Sequence, residues 1–186
     1  MKKALFLILL SAILFTCSED PDPCEAMTCN NGGHCEDGSC VCAEGWTGSF
    51  CNKRKDPTTI IISKIVVTKF PPKTSGGANW DASDGPDIYV AVYDDNELLL
   101  RTTGIISNAT TTPLTWTATT EEQKLHLSAS ERYTFELWDD DGSSDQWMGG
   151  IIGYLYDEED NMPSEIVFTA VGASVSYTFT VEYGFE

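Results

Sequence analysis

The sequence predicts a mainly β protein in two unequal parts, a small disulfide-rich module followed by an antiparallel eight-stranded β-sandwich. Two observations predict it. Six cysteines crowd the stretch from Cys24 to Cys51, which has little else to bury, and from residue 58 onward short β-branched and aromatic runs alternate with turn signals. No stretch of the second part shows a persuasive amphipathic helical period.

The first sixteen residues stand outside that plan. MKKALFLILLSAILFTC has two lysines, an apolar stretch too short to cross a bilayer comfortably, and then Cys17 with acidic residues behind it. This is the pattern of a secretory signal peptide. LFTC at 14 to 17 resembles the lipobox of bacterial lipoproteins, in which the cysteine becomes the first mature residue and carries the lipid, with Thr16 where a smaller residue is usual. Ser18-Glu19-Asp20 resembles the acidic export signal of surface lipoproteins in Bacteroidetes-type bacteria. The resemblance implies a signal peptide over 1–16, a lipidated acidic tether over 17–23, and anchoring at the outer membrane or cell surface. Cleavage without lipidation would leave the protein secreted. Cysteine parity favours the lipid, because seven cysteines less Cys17 leave an even set for disulfides.

The formal net charge is −18, and loss of Lys2 and Lys3 with the signal makes it more negative. Such a surface repels nucleic acid and anionic headgroups. No hydrophobic run after Cys17 approaches the roughly 20 residues of a membrane-spanning helix. Membrane contact is therefore expected through the N-terminal anchor only.

The module at 24–52 has cysteine gaps of four, five, four, one and eight residues. Met27, Val41, Trp46 and Phe50 are nearly all it has to bury, so crosslinks of about 2–4 kcal/mol each must replace a core. Spacing alone leaves the pairing open. The spacing, the Asn30-Asn31-Gly32-Gly33 turn and the ending CVCAEGWTGSFC together resemble the EGF-like module. That resemblance implies the pairs Cys24 with Cys35, Cys29 with Cys40, and Cys42 with Cys51. Calcium-binding members of the family carry a particular acidic run before the first cysteine and an aromatic between the third and fourth, and this chain has neither. The module is expected to be a rigid spacer, joined through a polar linker at 53–57 to the larger domain.

Strand candidates in the 58–186 domain are 58 to 70, 87 to 94, 97 to 103, 113 to 119, 124 to 129, 132 to 138, 149 to 157, 165 to 171 and 174 to 185. The last is the clearest, with Val175, Tyr177, Phe179, Val181 and Tyr183 alternating with polar residues. Two acidic loops interrupt the pattern. NWDASDGPDIYV sets Asp81 and Asp87 six residues apart, and LWDDDGSSDQWMG places Asp139, Asp141 and Asp145 after a strand. Aspartates are common in turns because they cap backbone N–H groups. Five in two loops suit a hard cation such as Ca²⁺, which takes about six to eight oxygens.

At these residues the chain resembles the C2 domain family of calcium- and lipid-binding sandwiches. One loop of that family gives Asp, five residues, then Asp-Pro-Tyr-Val, matched here by Asp81 to Asp87 with Ile88-Tyr89-Val90 following; the other gives Asp-x-Asp and a further Asp, matched by Asp139, Asp141 and Asp145. The resemblance implies Ca²⁺ held by Asp81, Asp87, Asp139, Asp141 and Asp145. Ile88 replaces the proline and the second loop is about one residue short, which leaves Asp140 and Asp84 as substitute ligands. One strand ahead of the first acidic loop and a strong one at the C-terminus resemble the family's second topology.

Three function classes follow. The first is a surface-displayed module whose Ca²⁺-ordered loops bind an extracellular protein or glycan. The second is Ca²⁺-dependent peripheral phospholipid binding. The small polar loop tips, Ala82-Ser83 and Gly142-Ser143-Ser144, favour the first, with Trp80, Trp138, Trp147 and Met148 expected to pack at strand ends. The third is an accessory hydrolase, but no nucleophile elbow, phosphate loop or zinc-helix motif is present, and His34 and His126 suit structural roles. No catalytic residue is expected. Asn108-Ala109-Thr110 has the form of an N-glycosylation site, a signal rarely used in bacteria.

Overall fold

A computed structural model describes residues 22–159, 161–170 and 172–185. The expected signal peptide, Cys17 and the expected acidic tether up to residue 21 lie outside the described residues. The chain forms two compact units, divided between Arg54 and Lys55.

In the first unit three disulfides join Cys24 to Cys35, Cys29 to Cys40, and Cys42 to Cys51. Two small hairpins hang on them, β1 (His34–Glu36) with β2 (Ser39–Val41) and β3 (Trp46–Thr47) with β4 (Lys53–Arg54). The turn at 30–33 is fastened to the far end of the module: Asn30 Nδ2 donates to the Phe50 carbonyl and Asn31 Nδ2 to that of Cys51, both at 2.8 Å. β4 occupies the first two positions of the expected linker. Lys53 and Arg54 pair with Thr47 and Trp46, and the Arg54 guanidinium lies 5.6 Å from the Trp46 ring centroid, so these residues belong to the module.

The second unit is a sandwich of two antiparallel sheets. Its strands are β5 (Thr59–Lys69), β6 (Ile88–Tyr93), β7 (Leu99–Thr102), β8 (Leu114–Thr117), β9 (Leu125–Ser128), β10 (Arg132–Asp139), β11 (Gln146–Tyr154), β12 (Glu165–Phe168) and β13 (Ser176–Gly184). One sheet runs β11-β10-β6-β7. The other runs β12-β13-β5, with β8 and β9 both pairing β5 along different parts of its length. A 3-10 turn at Glu121–Gln123 separates those two strands, so nine strands fill eight positions. β5 pairs the C-terminal strand β13 along nearly its whole length, which ties the start of the domain to its end.

Alternation sends one face of each strand inward. Phe135 from one sheet meets Phe179 and Phe168 from the other, at ring-centroid distances of 4.5 and 5.7 Å, and all three are buried with Tyr177. Tyr177 keeps its hydroxyl satisfied by donating to the Phe135 carbonyl.

β11 begins three residues earlier than the sequence suggests. A bulge opposite Leu137 and Trp138 makes this possible: Leu137 pairs Gly149 and Trp138 pairs Trp147, leaving Met148 as the extra residue. Gly149 takes φ +148°, and a Cβ there would collide with Ser174 and Val175. The bulge splits the expected packing role of the tryptophans and Met148. Met148 is buried, Trp80 and Trp138 are half-buried, and Trp147 is turned outward, 55% exposed.

Candidate metal centre

Strand register explains why two loops some fifty residues apart meet. Asp139 is the last residue of β10, the strand between β6 and β11, and it pairs with Ile88 on one side and Gln146 on the other. The residue before Ile88 is Asp87, where the first acidic loop ends, and Gln146 follows Asp145, where the second ends. Pairing the strands therefore brings together the ends of both loops.

Asp87 locks the junction through its backbone and side chain. Its N–H donates to Asp139 Oδ1 at 2.7 Å, its carbonyl accepts the Asp140 N–H at 2.7 Å, and its Oδ1 accepts the Asn108 N–H at 2.8 Å. The neighbouring Gly85 is pressed against the same segment: a Cβ there would stand 2.7 Å from the Ala109 carbonyl oxygen, so any side chain would force the loop off.

Asp139 is the only charged side chain among the described residues that is fully buried. Its second oxygen, Oδ2, is buried without any hydrogen-bond donor. Leaving a buried carboxylate oxygen unpartnered is costly. Burial is the main influence pushing the Asp139 carboxyl up to about 6; the Asp87 N–H opposes it, while the charges of Asp81, Asp141 and Asp87 add to it. Burial likewise raises Asp81, followed by the charges of Asp84, Asp141 and Asp87.

Asp81, Asp139 and Asp141 each present a carboxylate oxygen within 4.8 Å of the others. The donor set is all oxygen, as a hard cation requires, and Asp139, one of its members, has a buried oxygen, Oδ2, that lacks a partner. The residues fit a Ca²⁺-type ion, with carbonyls and water needed to complete its shell. Asp87 stands beside the trio, close enough for its charge to raise both Asp81 and Asp139, but one of its oxygens is already bonded to Asn108.

Asp145 is not brought into the trio. Its Oδ2 accepts the Tyr89 hydroxyl at 2.8 Å, on the outer side of the sheet, because β11 starts directly after it. The phenol is pushed up by burial and by that carboxylate. Neither substitute joins the trio: Asp140 Oδ1 accepts the Gly142 N–H at 2.9 Å, shaping the tight turn, and Asp84 Oδ1 faces the Ser83 hydroxyl. Residues that the sequence reading missed support the site from outside. Gln146 Nε2 donates to Asp141 Oδ2 at 2.6 Å, and Asn108 acts through its backbone N–H, which no side-chain pattern reveals.

Residues 26–54 match the family model described as a teneurin-like EGF domain. The chain matches no curated protein sequence. Among solved structures it is similar to one described as a C2 domain, at 16% identity and a TM-score of 0.45, over 67% of this chain and 98% of that one. It is similar at 14% identity and a TM-score of 0.45 to the calcium-bound pair of C2 domains of extended synaptotagmin 2, over 69% of this chain and 46% of that one. A C2 domain protein from Ramazzottius varieornatus is similar at 13% identity and a TM-score of 0.41, over 70% of this chain and 91% of that one. The likeness to these structures concerns the fold alone. The chain is mainly β, a disulfide-rich EGF-like module followed by an antiparallel β-sandwich of two sheets.

Proposed function

We propose that the sandwich binds Ca²⁺ through Asp81, Asp139 and Asp141, and uses the loops so ordered to hold an extracellular protein or glycan. The protein is displayed at the cell surface by a lipid on Cys17, with the EGF-like module as a spacer. It is a binding module rather than an enzyme.

The observation that carries the reading is the orphaned, buried Oδ2 of Asp139, a residue with a carboxylate oxygen within 4.8 Å of oxygens of Asp81 and Asp141. A cation removes the desolvation cost of that oxygen and the repulsion among the three groups together. Three disulfides support the location, since such crosslinks persist in oxidising compartments. The exposed small residues at Ala82-Ser83 and Gly142-Ser143-Ser144 offer no large apolar side chain to insert into a bilayer, which supports a protein or glycan over phospholipid.

Calorimetric titration with Ca²⁺ tests the site, with saturable heat expected for the wild type and none for Asp141→Asn. Sedimentation with anionic vesicles separates the targets. No calcium-dependent pelleting is expected; pelleting would transfer the reading to phospholipid.

A further inference from the structure

The outer face of the β11-β10-β6-β7 sheet carries a second, differently built surface. The alternation that buries Tyr133, Phe135 and Leu137 sends Thr134, Glu136 and Trp138 outward. Ladder partners then form transverse rows. Trp138 pairs with both Tyr89 and Trp147, making one row; Thr134 pairs with Tyr93 and Ile152, making another four residues along the strand. At about 3.3 Å per residue the rows stand about 13 Å apart.

Glu136 lies between them, flanked in register by Ala91, which is buried, and by Gly150. The missing side chain at Gly150 is used: a Cβ there would stand 3.2 Å from Glu136 Cγ. The carboxylate is held in place by the Trp138 Nε1–H, which donates to it at 3.1 Å. Trp147 and Ile152 are both 55% exposed, a large apolar area for one sheet face. Among the described residues no lysine or arginine forms an ion pair with Glu136, and Arg132, on the same face, is taken by Asp95 at 2.6 Å.

The occupant is chosen by charge. A second copy of a chain with net charge −18 brings repulsion to this face, as do nucleic acid and anionic lipid. A basic side chain brings what the face lacks, a cation for Glu136 and an apolar stem or guanidinium plane for the indoles. The geometry points to this face as a docking surface for a basic protein segment, with an arginine or lysine lying against Trp147 and Trp138 and pairing with Glu136. No group of the Asp81, Asp139 and Asp141 cluster takes part, so the interaction is independent of calcium.

The test is a tryptophan-fluorescence titration of the protein with a peptide of arginines spaced by Gly and Ser, at about 0.15 M salt, where diffuse attraction is largely screened. The same peptide carrying citrulline is the neutral control. Glu136→Gln keeps an acceptor for Trp138, and Trp147→Ala changes an exposed side chain, so both fold. Each is expected to weaken binding about tenfold, while Glu158→Gln, which removes one charge from the exposed turn after β11, leaves it unchanged. Binding is expected to survive EDTA. Equal affinity in all three variants, equal binding of the citrulline peptide, or loss of binding in EDTA would overturn the proposal.

Discussion

At Asp139 a carboxyl with no exposed surface is held by one backbone N–H, leaves Oδ2 without a donor, and has an oxygen within 4.8 Å of two more carboxylates. Its folded value of about 6 lies above the ordinary 3.8. A group raised in this way favours the metal-free fold below about pH 4 and loses that contribution as pH rises through 6. The metal-free protein should therefore lose on the order of 2 kcal/mol between those limits from this residue, read by urea unfolding across pH. Asp139→Asn should flatten that dependence and stabilise the metal-free form at pH 7, because an amide leaves no buried charge there. Calcium should invert the trend, since protons compete for the same oxygen, and its affinity should fall as pH drops through 6. Asp81, Asp139 and Asp141 were legible from residue type and spacing. The turn of Asp145 to Tyr89 was not, because it depends on where β11 begins, and that is set by a bulge that leaves no local signature at Asp145.

At the scale of elements, the β-branched and aromatic runs between turn signals located the nine strands of the described residues to within a few residues, and one-sided burial made 174 to 185 the clearest. The largest shifts are three residues, at both ends of β11 and at the end of β12. Gln146, Trp147 and Met148 look like loop because the extra residue of the bulge breaks the alternation just where β11 pairs the end of β10. That break turns Trp147 to solvent, against its expected packing role, and Met148 inward, in keeping with it. The central strand β10 carries both the core and the site, with Phe135 among the aromatic rings and Asp139 at its end. Phe135→Ala should cost about 3–5 kcal/mol in urea unfolding and weaken calcium binding only through loss of the fold.

The molecule divides its means of stability between two units. All six cysteines of the described residues lie in the first, and the second rests on its core and sheet ladders without a disulfide among its described residues. Reduction should therefore abolish the structure of the EGF-like module and leave the melting of the sandwich and its calcium response unchanged, as followed by calorimetry with and without dithiothreitol. The two-part plan was readable because cysteine density and strand alternation are composition-level signals. The exact end of the module was not, since Lys53 and Arg54 look like a polar linker until β4 pairs them with Thr47 and Trp46. The central claim, that the two acidic loops form one cation site, is tested most directly by a crystal structure of the protein grown in calcium. One ion is predicted, at about 2.3–2.6 Å from oxygens of Asp81, Asp139 and Asp141 and taking up the free Oδ2 of Asp139. Crystals at saturating calcium with no ion there, and Asp139 Oδ2 satisfied instead by water or by a proton shared with a neighbouring carboxylate, would contradict it.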